Sequence, residues 1–121
     1  DLALLSLIYP FRVIKDKKLI KRIVKNVEEK LVRTRGVIRY PGDKYYNRNG
    51  EAEWCFGFPW LARIYRELGN MGKYKHYLGK TNKIINSRGE IPELYFANSE
   101  AHNENSPLGW GHALHLVAIA G

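Results

Sequence analysis

The stretch "EAEWCFGFPWLARIYRELG", residues 51–69, is far more apolar than the segments on either side of it, and its helical residues share one broad apolar face. Trp60, Leu61, Ile64, Tyr65 and Leu68 recur with helical spacing, and Gly69 supplies a left-handed stop. Pro59 is compatible with two starts: it suits a first turn, or it kinks a helix begun near Ala52. The longer helix, from near Ala52, is the one expected. A helix this apolar is expected in an inner layer, with amphipathic helices outside it.

The flanking segments have the complementary pattern. In "KDKKLIKRIVKNVEEKLVR", residues 15–33, the residues Leu19, Ile20, Ile23, Val24, Val27 and Leu31 form one apolar face, Asp16 is placed to cap the start, and lysines fill the other face. Asn70 is placed to cap a third helix running to about Ser87, with Tyr74, Tyr77, Leu78, Thr81 and Ile85 inward and Gly89 closing it. Ser106 and Pro107 form a cap and first-turn pair for a last helix, "LGWGHALHLVAIAG", residues 108–121. From Ala113 onward it is apolar nearly all round and is expected to be buried on most sides. Few segments alternate with period two, so the class is all-α, with basic amphipathic helices outside, apolar helices inside, and loops gathered at one end.

The 121 residues are enough for one domain. A net charge of +8 raises nucleic acid as a partner, but the charge sits on solvated helix faces, and no nucleic-acid partner is expected. The segment Leu2–Tyr9 is too short to span a bilayer and lacks the features of a secretory signal, so no membrane partner is expected. Cys55 has no second cysteine to pair with, which points to a reducing, cytoplasmic compartment. The chain starts at Asp1 and is apolar from Leu2, as if it began inside a larger protein.

Two loops carry the polar chemistry. "RGVIRYPGDKYYNRNG", residues 35–50, offers Arg39, Tyr40, Asp43, Tyr45 and Tyr46; the stretch 89–113 offers Glu90, Glu93, Tyr95, Glu100, His102, Glu104 and Trp110. Arg, Asp, Tyr and Trp together suit a sugar site, because charged groups bind hydroxyls and aromatic rings pack on the apolar faces of pyranoses. Among the carboxylates Glu93 stands apart: Pro92 fixes the chain before it, and Leu94, Tyr95 and Phe96 anchor the chain after it. Glu90, Glu100 and Glu104 read as solvent-facing loop charges. His112 and His115 share a helical face with His102 upstream, yet no carboxylate or cysteine completes a ligand set, so neither metal nor cofactor is expected.

Taken in order, "GVIRYPGDKYY", "EWCFGFPWLARIYRELGN", "GEIPELY" and "PLGWGHA", with "LLSLIYPF" near the start, resemble the C-terminal half of the glucoamylase family of glycoside hydrolases, family 15. The resemblance implies that residues 1–121 are the C-terminal portion of an (α/α)6 barrel, about half of it, in which inner and outer helices alternate. It also implies exo-hydrolysis of α-linked glucans with inversion, by one carboxylic acid and one carboxylate base. Glu93 in "IPELY" matches the base. Arg39 and Asp43 match the sugar-binding "RYPxD" loop, Trp54 and Trp110 match aromatic positions at the pocket, and Tyr95 matches a residue able to orient the water or the sugar.

The chain departs from the family pattern in two places. Gly111 stands where many relatives carry a serine, and nothing in the chain matches the general acid. The expectation is therefore a base-bearing part whose activity needs the missing N-terminal half of the barrel, with an α-glucan oligosaccharide or polysaccharide as substrate. The alternative is a non-catalytic carbohydrate-binding or regulatory half-barrel.

Overall fold

Asp16 opens the first long helix as its side chain accepts the Lys18 N–H at 2.9 Å. A computed structural model describes residues 1–120, and in it this helix, α1, spans Lys17–Leu31 and buries Ile20, Val24, Val27 and Leu31 along one stripe. Val32 then turns extended and forms an antiparallel bridge with Val37. The helix capped by Asn70, α3 in chain order, spans Met71–Ile84, and Asn70 accepts the Lys73 N–H at 3.1 Å. It stops before the expected Ser87 because Asn86 and Glu90 close a turn on each other, with backbone and side-chain bonds of 2.9 and 3.0 Å.

The central stretch differs from expectation at its start. Glu53–Trp54 form a short strand, β1, and helix α2 spans only Gly57–Glu67. β1 pairs antiparallel with β2, Leu94–Tyr95, and Trp54 also exchanges two 3.0 Å backbone bonds with Val37. Those partners lie far off in sequence and satisfy the backbone of 53–54 without a helix. Two glycines permit the close approach: a Cβ on Gly36 would lie 2.5 Å from the Glu53 carbonyl carbon, and one on Gly57 2.3 Å from Val37 Cγ2. Pro59 thus sits in the first turn of α2, where its missing N–H costs nothing.

α2 is the hub, packed against α3 and the last helix, Gly109–Ala120, while α1 lies against an N-terminal 3-10 helix at Leu2–Leu7. Phe58, Trp60, Leu61 and Ile64 of α2 are fully enclosed, and the Trp60 indole N–H donates to the Tyr9 carbonyl at 2.9 Å. The three helices α1, α2 and α3 also meet at one carboxylate. Glu28 accepts from Tyr65 and Tyr77 hydroxyls and from Lys73 Nζ. Burial pushes the Glu28 carboxyl up, but the three donors together outweigh it and hold it below the usual range. Glu28→Ala orphans two tyrosine hydroxyls at once and is expected to cost about 2–4 kcal/mol in urea unfolding; Glu28→Gln, which keeps an acceptor, should recover part of that loss.

α4 spans Gly109–Ala120, and Gly121, the end of the expected last helix, lies outside the described residues. Ser106 does not cap it. Its hydroxyl donates to Glu90 at 2.9 Å and accepts from Asn86 at 3.2 Å, which ties the preceding loop to the turn after α3. Nor is α4 buried on most sides: Gly111, Leu114 and Ala118 face inward, whereas Trp110, Leu116 and Ile119 are 51%, 62% and 49% exposed. Trp110 still packs on Phe56 and Trp60, whereas Leu116 and Ile119 remain largely open. The chain alone is accordingly expected to self-associate, and Leu116→Glu with Ile119→Lys should shift its sedimentation toward monomer. No described helix is long and apolar enough to cross a membrane. The described residues are thus mostly helical, with one minimal two-stranded sheet rather than none.

Candidate active site

Arg39 lies just beyond the buried pair Val37 and Ile38, and its carbonyl accepts the Leu2 N–H at 2.8 Å, so the 3-10 helix holds its backbone. Its guanidinium forms a two-pronged pair with Asp43, Nε to Oδ2 at 2.6 Å and Nη2 to Oδ1 at 2.8 Å. Asp43 is 1% exposed and also accepts the Tyr45 N–H at 3.1 Å. The bond from Arg39 holds the Asp43 carboxyl below its usual range against the opposing effect of burial, and the same bond raises Arg39. The guanidinium carbon stands 4.7 Å from the Trp54 ring and 5.2 Å from the Tyr45 ring. Nη1 makes no hydrogen bond to the described residues, so one edge of Arg39 remains available to a ligand.

Glu93 is positioned from three directions. Upstream, the Ile91 N–H donates to His112 Nε2 at 2.9 Å and the Ile91 carbonyl accepts from Leu108 at 3.0 Å, which fixes the loop to the start of α4. Its own N–H donates to the Asn105 carbonyl at 2.8 Å, and its carbonyl accepts from Cys55 at 3.1 Å. Downstream the chain reverses near Asn98, which adopts a left-handed φ of 52°, and returns so that the Asn103 N–H donates to the Leu94 carbonyl at 3.1 Å. This return brings two amides onto the carboxylate. Oε1 accepts from Asn103 Nδ2 at 2.7 Å, Asn105 Nδ2 at 3.1 Å and the Tyr45 hydroxyl at 3.2 Å. Oε2 accepts from none of the described residues.

A cavity of about 290 Å³ is walled by Arg39, Tyr40, Phe56, Trp60, Trp110 and the first residues of the chain; Glu93 does not line it and connects to it through Tyr45, Trp54 and Phe56. The rings form a continuous run: Trp110 lies 4.3 Å from Phe56, Phe56 5.3 Å from Trp54, and Trp54 stacks on Tyr45 at 5.5 Å. Tyr45 ends the run with its hydroxyl on Glu93. A larger cavity of about 460 Å³ lies elsewhere, lined by Lys21, Val24, Tyr65 and Asn70, and none of the candidate site residues lines it.

Arg39, Asp43, Trp54 and Glu93 are therefore neighbours, and Trp110 forms the exposed outer wall of the cavity. Tyr95 is placed differently: its hydroxyl donates to the Ile84 carbonyl at 2.9 Å, at the end of α3, away from the Glu93 carboxylate. Tyr95 begins the pairing with Glu53, and the backbone bonds of that strand pair aim its ring at the core. Glu104 is exposed and accepts from the Tyr46 hydroxyl, which pulls Glu104 below the usual range and pushes Tyr46 up to about 12. Glu100 pairs with Arg35 at 3.3 Å, and Glu90 with Ser106 and Arg88. Asn103, Asn105 and Phe56 carry no signal in sequence spacing; Tyr45 does, as part of an aromatic-rich loop. Among the described residues no three His, Cys, Asp or Glu side chains gather as a metal site.

No family model matches the chain, and no curated protein matches it. Solved structures do. A wild-type glycosidase superposes with a TM-score of 0.83 at 19% identity, covering 99% of this chain and 35% of its own. A single-substitution variant gives a TM-score of 0.85 at 19% identity, and a variant in complex with glucose gives 0.83 at 18% identity, with the same coverage. The chain has the fold of the matching part of these glycosidases, and it spans about a third of their length.

Proposed function

We propose that this chain is the base-bearing part of an inverting, exo-acting α-glucan hydrolase of the glucoamylase kind. The observation that carries the reading is Glu93: an almost enclosed carboxylate with three donors on one oxygen and none of the described residues on the other, joined through Tyr45 and Trp54 to a cavity walled by Arg39 and aromatic rings. Glucose bound by one of the similar solved structures supports a sugar as ligand. In the proposed reaction Glu93 takes a proton from water, the water oxygen bonds to the anomeric carbon, and the glycosidic C–O bond breaks. The leaving oxygen takes a proton from a carboxylic acid standing roughly 6.5–9.5 Å from Glu93. Arg39 Nη1 and the Trp110–Phe56 wall hold the sugar by hydrogen bonding and ring packing.

That acid is proposed to come from the remainder of the barrel, the partner that would also cover the exposed side of α4. A general acid needs a raised pKa. Among the described carboxyls with a resolved shift, Asp43, Glu51, Glu90, Glu104 and Glu28 all move down. The chain alone is accordingly expected to bind sugar without hydrolysing it. The test of the reaction is NMR of the first sugar released by the catalytically complete protein from a short α-glucan. The β-anomer should appear first; initial release of the α-anomer would exclude inversion.

A further inference from the structure

We propose that Asn103 and Asn105 are the positioning residues of Glu93, and that by occupying Oε1 they make Oε2 the oxygen that receives the proton from water. The inference rests on the reading of Glu93 as the base. It deepens that reading by naming the groups that select between two chemically equivalent oxygens.

Three observations carry it. First, both side-chain amides donate to the same oxygen, at 2.7 and 3.1 Å, and Oε2 has no partner among the described residues. Two donors from different directions fix the carboxylate plane, since any rotation of the terminal torsion lengthens at least one bond. Second, the donors share a backbone ladder with their acceptor. The Asn105 carbonyl accepts the Glu93 N–H at 2.8 Å and the Asn103 N–H donates to the Leu94 carbonyl at 3.1 Å, so amides and carboxylate move as one body. Tyr45, the third donor, is 40% exposed and its bond is the longest at 3.2 Å, so it contributes less to the fixing.

Third, Asn103 is kept at a cost. It is 2% exposed, its Nδ2 serves Glu93, and its Oδ1 is buried without a hydrogen-bond partner. An unpaired buried amide oxygen lowers stability, and an apolar side chain at this position would avoid that loss. Breaches of local satisfaction of this kind are expected where a side chain serves a site rather than the core.

The test replaces each amide by its isostere, Asn103→Asp and Asn105→Asp, in the catalytically complete protein. Shape is kept, but a donor becomes an acceptor facing a carboxylate. We expect kcat to fall by about 10²-fold in each variant, the scale of a misplacement of roughly 1 Å, with KM changed by no more than about threefold. Asn105→Gln, which keeps the donor on a longer arm, should recover part of the loss. Values of kcat within about threefold of the parent in both Asp variants would overturn the proposal, provided Glu93→Gln still abolishes turnover. If Glu93→Gln turns over normally, the reading of Glu93 as base falls, and the positioning role with it. Should Asn103→Asp not fold, the exposed Asn105 provides the second variant, and NMR of this chain provides an independent readout. The side-chain amide resonances of both asparagines should move on Glu93→Gln, and resonances that stay in place would refute the contact.

Discussion

Glu93→Gln is expected to lower kcat of the catalytically complete protein by about 10³-fold or more while leaving KM within a few-fold, the loss appropriate to removing a positioned general base. A factor of 10³ corresponds to about 4 kcal/mol of transition-state stabilisation. The substitution is a sharp one at this position because of where the donors lie. Asn103, Asn105 and Tyr45 all address Oε1, and the carbonyl oxygen of glutamine can still accept from them. The amide nitrogen then replaces Oε2, the oxygen free of protein donors, and cannot take a proton from water. Fold and ground-state binding should therefore survive, and only the chemical step should suffer. A variant that keeps its melting temperature and retains turnover within tenfold of the parent would remove Glu93 as the base.

Much of the scaffold is legible in local pattern. The stripe Ile20, Val24, Val27, Leu31 and the caps Asp16 and Asn70 depend on neighbours two to four residues away, and α1 and α3 start where those caps predict. What the sequence conceals is decided by distant partners. Glu53 and Trp54 look helical because the residues after them are, but Val37 and Leu94 provide a backbone ladder that local periodicity cannot register. Ser106 looks like a cap, yet Glu90 and Asn86 claim its hydroxyl.

The same distinction divides the site. Glu93, Arg39 and Asp43 are visible as loop residues of the right chemistry, and the Arg39–Asp43 pair even has local, i to i+4, spacing. Asn103 and Asn105 reach Glu93 only because the chain doubles back at Asn98, so nothing in "NEN" distinguishes them from solvent-exposed loop residues. Tyr95, two residues after Glu93 in the same motif, is drawn instead to Ile84 by the strand it belongs to. On α4, apolar residues on every side implied burial. The fold buries one side and leaves Trp110, Leu116 and Ile119 open.

Arg39→Met should reveal how far the sugar-binding edge is also a structural element. Asp43 is 1% exposed, so losing its two-pronged partner strands a buried carboxylate, the costly case for an ion pair. Because the Arg39 side chain is itself 35% exposed, the pair is partly screened, and about 2–3 kcal/mol of unfolding free energy should be lost at neutral pH rather than the full value for a dry pair. The pH dependence has a fixed sign. Arg39 depresses the folded-state pKa of Asp43 below its unfolded value of about 3.9, so the stabilisation is complete above that value and disappears as pH falls through the folded pKa. The stability gap between the parent chain and Arg39→Met should accordingly be widest near neutrality and close in acid. Arg39→Met combined with Asp43→Leu should regain stability, since no charge is left unpaired, but not sugar affinity, since Nη1 is gone. Urea unfolding across pH, read beside glucose binding, separates the two roles. Equal melting of parent and Arg39→Met at neutral pH would show that Asp43 does not depend on the arginine, and sugar affinity regained by the double variant would remove Arg39 from the binding edge.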